Sequence, residues 1–347
     1  MPGSRPLPMN CPICAEESVT VLHRFSAKQA AEHFVPIRRD KQRHLWLVGN
    51  IEKLWHGSEC RVVQCNDCKF CFPVPYVAGD AEFYEIAYGV PSYPLHRWEY
   101  DRALEFLKSL DASHPVRILE LGAGVGEFTK RILRIPGVSP GQVVATDYSP
   151  HSIDALRALG VDARRLGVAD LASSPGDSKS FDVILAFQSI EHMSDIAEVI
   201  SGLKQLLKPK GVIILSVPQG PAIEFNERYL KCFDMPPNHV GRWYRESFEA
   251  LSTRTGIEVV AHEIEPMRLI PILSEVMVLR IRGVAAASPT SLAGRAQAIE
   301  NRRLRRLLSA ALGSVMLLPL LPSLRRLKSG YAQLAVLRIS GASHLPS

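Results

Sequence analysis

The sequence predicts an α/β protein: an open, doubly wound sheet, preceded by a small cysteine-bearing module and interrupted by a helical insertion before its last strand. Three observations carry this expectation. From Pro115 onward short apolar runs alternate with helical patterns, the first of those runs breaks into alternate glycines, and two Cys-x-x-Cys pairs stand ahead of it. The 347 residues suit about two domains at ~150 residues each. With 46% hydrophobic and 22% charged residues the composition is ordinary for a globular chain. Wholesale disorder, collagen and a disulfide-dense scaffold are excluded.

The first unit is read as residues 9–75. Cys11-Pro-Ile-Cys14 and Cys65-Asn-Asp-Cys68 form two knuckles, each a short turn that aims two sulfurs at one point. Together they are the sequence form of a tetrahedral four-thiolate zinc site, structural because no ligand position is left open. The interval between them is longer than the ~15 to 20 residues of a compact zinc ribbon, so a small subdomain must fill it. Cys60 and Cys71 are substitutes for a ligand, and buried free cysteines are the alternative to a metal site. Residues 76–114 read as a helical connector, aromatic through Phe83, Tyr84, Tyr88 and Tyr93, with a helix from Arg97 to Leu110.

The core is assigned to residues 115–265. Strands are expected at Val116–Leu121, Gln142–Thr146, Ala163–Val168, Phe181–Phe187, Gly211–Val217 and Ile257–Ile264, with helices at Glu127–Ile135, Ser152–Leu159 and Asp195–Leu207. Alternation of this kind builds a parallel sheet with helices on both faces and ligands beyond the carboxyl ends of its strands. Residues 266–330 are then a basic helical excursion, and 331–340 bring a last strand, Tyr331–Ile339, back to the sheet.

The first strand ends Glu120-Leu-Gly122-Ala-Gly124-Val-Gly126. Alternate glycines let the backbone bend sharply and admit a ligand where a Cβ would collide with it, so a nucleotide-like cofactor is expected. A dinucleotide fingerprint needs glycine where Glu127 stands. That carboxylate opposes a pyrophosphate but suits a cofactor bearing an ammonium and a sulfonium. Asp147, 21 residues beyond Gly126, ends the second strand where a carboxylate can accept both ribose hydroxyls.

These residues resemble the class I S-adenosylmethionine-dependent methyltransferases. The likeness spans 115–262 and the last strand, and rests on ILELGAGVG, TDYS at 146–149, VADL at 168–171, FDVILAFQSIEHMSD at 181–195 and LLKPKGVIILSVP at 206–218. It implies a Rossmann-like sheet of seven strands with the last antiparallel, and S-adenosylmethionine as cofactor. Gly122, Gly124 and Gly126, with Glu120 and Ala123, would shape the pocket under the methionine moiety. Asp147 would hold the ribose beside Tyr148. Asp170 would meet the adenine amino group with the Ala169 backbone alongside, and Gln188 would lie near the sulfonium. Lys210 departs from the glycine often found there, and a surface turn is expected to absorb it.

A methyl on a sulfonium needs in-line alignment more than it needs protein chemistry, but a hydroxyl acceptor must lose its proton as the new bond forms. Two histidines are candidates to take it. His192 follows the fourth strand and either does so or braces its loop with Glu191; His239 follows the fifth and either does so or packs on Trp243 as a turn histidine. The knuckles and the tyrosine-rich helix also resemble a subgroup of bacterial methyltransferases that often act on sugars or on glycan and natural-product intermediates. In that frame Tyr84 and Tyr88 close over the methionine carboxylate or pack in the core. Some sugar C-methyltransferases carry a Tyr-x-Glu-His-type run after the fifth strand; Pro218–Asn226 lacks it, which favours oxygen as the acceptor atom.

Charge is unevenly placed. The whole chain is +6, but Arg280–Lys328 holds ten basic residues against Glu300 alone, leaving −3 elsewhere. No run reaches the ~20 apolar residues that span a bilayer, and Leu307–Pro322 contains two prolines, so a transmembrane helix is not expected. Residues 302–328 are either a cap whose apolar face covers the acceptor pocket, or a segment lying against an anionic membrane, which suits a lipid-linked acceptor. A nucleic-acid surface is disfavoured because the arginine cluster lacks aromatics. The first ten residues lack a signal-peptide core, which predicts a cytoplasmic protein, peripheral at the inner membrane if 302–328 binds lipid. The expected activity is transfer of a methyl group to an oxygen of a small-molecule, sugar or glycan-precursor acceptor. The alternatives are a zinc-containing RNA methyltransferase, a sugar C-methyltransferase and a non-catalytic binding protein on the same fold.

Overall fold

The computed structural model describes residues 10–88, 95–109 and 114–340; Tyr93, Leu110 and the segment before Asn10 lie outside them. A three-stranded antiparallel sheet comes first: β1 (Val19–Ser26), β2 (Glu59–Cys65) and β3 (Cys71–Val74), side by side in that order. Helices α1 (Ala27–Phe34) and α2 (Lys41–Leu54) fill the long interval between the cysteine pairs. Ser26 opens α1 with a capping box, its Oγ accepting the Gln29 N–H while Gln29 Oε1 accepts the Ser26 N–H. Leu47, Ile51 and Trp55 bury against Phe25 and Val62, and α3 (Ala81–Tyr88) adds Phe83 and Ala87 to the same cluster.

The main sheet has seven strands: β4 (Ile118–Leu121), β5 (Val143–Thr146), β6 (Asp162–Arg164), β7 (Phe181–Phe187), β8 (Leu207–Pro218), β9 (Ile257–Ile264) and β10 (Ala332–Ile339). Their order is β6-β5-β4-β7-β8-β10-β9. β4 to β8 pair in parallel, and β10 slots antiparallel between β8 and β9, as the sequence led us to expect. Continuous apolar strands such as Phe181–Phe187 are buried on both faces, which parallel pairing with helical cover requires. α4 (Trp98–Ser109), α5 (Thr129–Ile132) and α6 (Pro150–Arg157) cover the face of Ile118, Val143 and Val183. The face of Leu119, Val144 and Ile184 meets α7 (Val168–Ala172), α8 (Ile196–Leu206) and residues Cys11, Cys65, Cys68 and Phe70 of the first module. Module and core therefore share one hydrophobic interior. α9 (Gly220–Phe225) and α10 (Arg245–Thr255) flank the loop after β8.

Several local expectations are corrected. The helix expected over Glu127–Ile135 is regular only at Thr129–Ile132. The third strand stops at Arg164, because Gly167 turns the chain into α7 and Asp170 accepts its N–H at 3.3 Å. Asp170 thus sits in the first turn of α7. Lys210 lies within β8, exposed, and not in a turn.

Between β9 and β10 the insertion forms α11 (Leu269–Ala287), α12 (Leu292–Gln297) and α13 (Arg302–Leu317), followed by a 3-10 turn and a short helix to Leu324. The prolines do not break this run: Pro319 enters the 3-10 turn, and Arg302–Leu324 is by length and composition apolar enough to cross a membrane. Only 11% of its most apolar window is buried. One side of the run, through Leu312, Leu317, Leu320 and Leu324, packs on the rest of the insertion and the loop after β8, and the other side is bare.

Candidate active site and cysteine centre

The cysteine knuckles have matching backbones. Ala15 N–H returns to Cys11 O at 2.9 Å and Lys69 N–H to Cys65 O at 3.2 Å, each residue left-handed, with φ of 68° and 61°. The pairs face each other with Cys11 Sγ 3.5 Å from Cys68 Sγ and Cys14 Sγ 3.5 Å from Cys65 Sγ, all four sulfurs lying within 4.8 Å of one another. Tetrahedral thiolates at ~2.3 Å from zinc stand ~3.8 Å apart, so the donor set fits that ion. Cys60 and Cys71 belong elsewhere, each thiol directed to a backbone carbonyl. The core clasps the knuckles: Ser247 Oγ donates to Cys68 O, and Arg254 Nη1 to the carbonyls of Pro12 and Ile13.

At the carboxyl edge of the main sheet, β4 enters the glycine bend. Gly122 has φ +66°, and a Cβ there would stand 2.9 Å from Ser189 Cβ; Gly126 has φ +79°, and its Cβ would meet Leu159 at 2.8 Å. Both the backbone angle and the space demand glycine. Asp147 ties the neighbouring strand to this bend, Oδ2 accepting from Gly124 N at 2.9 Å and Oδ1 from Ser149 N at 2.8 Å. Each oxygen keeps a lone pair for a hydroxyl donor. Glu120 is buried and accepts from Thr129 Oγ1 at 2.6 Å; burial, with a smaller push from Asp147, lifts its carboxyl to about 8. The buried Ser189 Oγ beside Gly122 has no hydrogen-bond partner among the described residues. A cradle only glycine permits, an idle hydroxyl and two carboxylates fit a cofactor that carries a ribose and an ammonium.

Gln188, at the end of β7, is left-handed with φ 50° and donates its amide to Ser216 Oγ at 3.0 Å and Glu99 Oε1 at 3.2 Å. Glu99 is a buried carboxylate that α4 brings to the sheet edge. Sequence patterning missed it, since it interrupts an otherwise apolar helical face. Tyr148 and Asp170 lie together on the exposed side of the bend, the Tyr148 hydroxyl close to Gly167, with Ala169 exposed beside them.

His192 and His239 come together from different loops, ring centroids 4.6 Å apart. His192 Nδ1 faces the Asn238 carbonyl at 2.7 Å and the Tyr84 hydroxyl at 3.1 Å, which fixes the Nδ1–H tautomer and leaves Nε2 free. Tyr84 thus spends its hydroxyl on the histidine loop. Burial, then the neighbouring His239 charge, drives His192 down to about 3, so it is neutral. His239 is opposite: burial lowers it, but Asp234, 2.6 Å from Nδ1, outweighs burial and holds it near 9. Glu191 joins them, within 4.8 Å of both rings, with burial raising it to about 7 and neither carboxylate oxygen partnered among the described residues. Sequence reading took Glu191 only as a brace; its adjacency to His192 was the available signal.

The loop carrying His239 is sewn into both modules. Cys71 and Arg242 exchange backbone hydrogen bonds at 3.0 and 2.9 Å, while Val240 and Gly241 donate to Glu191 O at 2.7 and 3.1 Å. Arg242, 3% exposed, forms a two-pronged pair with Glu227, which also receives His23 from β1. The first module therefore positions the loop that carries His239.

Residues 119–213 match the family described as a methyltransferase domain. A ubiquinone biosynthesis O-methyltransferase of Xanthomonas campestris is 32% identical over 133 residues, 36% of this chain and 52% of that protein. Its counterpart from Cereibacter sphaeroides is 30% identical over 123 residues, 33% of this chain and 47% of that protein. The chain spans about half the length of these curated relatives. Similar solved structures include a sarcosine dimethylglycine methyltransferase from Galdieria sulphuraria, at 16% identity and TM-score 0.44 over 70% of this chain and 85% of that one. A methyltransferase from Archaeoglobus fulgidus matches at 12% identity and TM-score 0.44, over 69% of this chain and 91% of that one.

Proposed function

We propose, from the class I S-adenosylmethionine-dependent methyltransferase domain that this chain carries, that the protein methylates an oxygen of a small-molecule, sugar or lipid-linked acceptor. The observation that carries this reading is the Gly124–Asp147 hydrogen bond, which sets a ribose-binding carboxylate against a bend only glycine can make. Bound there, S-adenosylmethionine supplies an electrophilic methyl on a sulfonium that leaves as a neutral thioether.

Asp147 accepts the ribose hydroxyls, Glu120, protonated in the free chain, releases its proton to meet the ammonium, and Gln188, steadied by Glu99, closes the sulfonium end. Asp170 and the Ala169 backbone serve the adenine, with Tyr148 against it. On the acceptor side, His192 Nε2 receives the hydroxyl hydrogen bond and orients the oxygen. His239, in the molecules where it has lost its proton, takes the hydroxyl proton as the oxygen–carbon bond forms, and Asp234 steadies the resulting imidazolium. The four cysteines would hold a structural zinc, and Cys71, three residues beyond Cys68, joins their knuckle to the His239 loop through its backbone pairing with Arg242.

Incubating the purified chain with methyl-labelled cofactor and fractionated extract tests this reading. Label is expected in a hydroxyl-bearing small-molecule or lipid fraction. Label in RNA would replace it with nucleic-acid methylation, and calorimetry showing no uptake of S-adenosylhomocysteine would remove the enzymatic reading altogether.

A further inference from the structure

We infer that the outer face of the helical insertion is a docking surface for an anionic lipid bilayer. Leu304, Leu307, Leu308, Val315, Leu318 and Leu321 are all exposed, Leu307 at 69% and Leu318 at 64%. Their spacing of three, four and seven residues makes one stripe along the Arg302–Leu324 run. α11 extends the patch with Leu269 and Ile270, 65% and 82% exposed. An apolar stripe of this extent is costly in water and needs a cover.

Charge identifies that cover. Arg302, Arg303 and Arg306 stand exposed at one end of the stripe and Arg325, Arg326 and Lys328 at the other. The segment carries +9 while the rest of the chain carries −3. An apolar face bracketed by arginines matches a bilayer interface, acyl chains between anionic headgroups.

The run lies on a membrane and does not cross one. At 1.5 Å per residue it is about 35 Å long. Gly313 packs on Met277 and Ile281, and Leu320 and Leu327 bury with Leu230 and Cys232, so the middle and the far end of the run stay with the same body.

Docking has a consequence for the acceptor, which rests on the methyl-transfer reading above. The inner side of α11, through Ile272 and Val276, packs on Phe225, Leu230 and Cys232, and Cys232 is two residues from Asp234. Gly283 is pressed so closely to Leu230 O that a Cβ would stand 2.3 Å from it. The insertion thus ties the segment leading to the His239 loop to the helices that would lie on the bilayer, which suits an amphiphile whose apolar part stays in the membrane.

Co-sedimentation of the full chain tests the docking, with vesicles of phosphatidylcholine alone and of phosphatidylcholine mixed equally with phosphatidylglycerol. Binding is expected to the mixed vesicles, at least about tenfold tighter than to neutral ones and weakened by salt. Arg302→Glu with Arg303→Glu should cost about fivefold per arginine, and Leu307→Glu with Leu318→Glu should abolish binding. S-adenosylhomocysteine affinity, measured on every variant, should stay unchanged, which separates failure of docking from failure of the methyltransferase reading. Equal binding to both vesicles overturns the inference. So does a dimer in ultracentrifugation that Leu307→Glu dissolves, since a second copy would then be the cover. Retention after an alkaline carbonate wash overturns it in favour of a spanning helix.

Discussion

Asp234 Oδ1 lies 2.6 Å from His239 Nδ1, and this contact sets two neighbouring histidines at opposite ends of their range: His239 near 9, His192 near 3. The split follows from position. His239 has an ionised carboxylate bonded to its ring, whereas His192 is bonded to a carbonyl and a tyrosine hydroxyl beside a positive charge, so burial decides the second and is outweighed in the first.

Asp234→Asn should drop His239 well below 9, because burial would then be opposed by the weaker pull of Glu191 alone. Histidine carbon resonances followed against pH read this directly. In the native chain the rate of methyl transfer should climb as pH approaches 9, when His239 loses its proton; in the variant that limb moves to lower pH and its plateau falls. The raised His239 also contributes stability that is complete below its unfolded value near 6.5 and is lost as pH rises through about 9. A rate limb that stays put in the variant would dismiss His239 as the base.

Asp147→Ala should weaken S-adenosylhomocysteine by tenfold or more in calorimetry, since hydrogen bonds to a charged group contribute about 1.5–3 kcal/mol each. The same change frees the Gly124 and Ser149 N–H groups that the carboxylate now holds.

Gly122→Ala should lower folding stability by roughly 2–3 kcal/mol in urea, with an unchanged m value. The left-handed backbone costs about 1–2 kcal/mol for a residue with a Cβ, and overpacking against Ser189 adds to it.

Glu120 gives a prediction of opposite sign to an ordinary carboxylate. Its folded value near 8 lies above the unfolded 4.5, so the native state holds a proton the unfolded chain has released, and stability falls as pH rises between those limits. Glu120→Gln should flatten this decline in unfolding curves taken across that window while weakening the cofactor.

Elemental analysis should return about one zinc per chain, and Cys11→Ser with Cys68→Ser should abolish it. Because Cys71 pairs with Arg242, loss of the metal should also speed hydrogen exchange at Val240 and Gly241, both bonded to Glu191 O. Protection at those amides that ignores the metal would disconnect the knuckles from the His239 loop.

Sequence by itself determined the order and type of most elements: the apolar runs that became β4, β5, β7, β8 and β9, the last strand within a residue, the two knuckles, the insertion and the alternate glycines. These are local properties, written in periodicity, in the spacing of cysteines and in residues that tolerate a left-handed bend. What it could not write was which groups meet. Glu99 reaches Gln188 across 89 residues and Tyr84 reaches His192 across 108, while Asp170 fell into a helix because Gly167 turned the chain early. Only tertiary packing decided that His239 would be charged and His192 neutral, since a side chain's proton affinity depends on burial and on neighbours drawn from distant segments. The same holds for residues 302–324, whose apolar character was legible at once but whose exposure was settled only when α11 and the loop after β8 had taken one side of the helix and left the other bare.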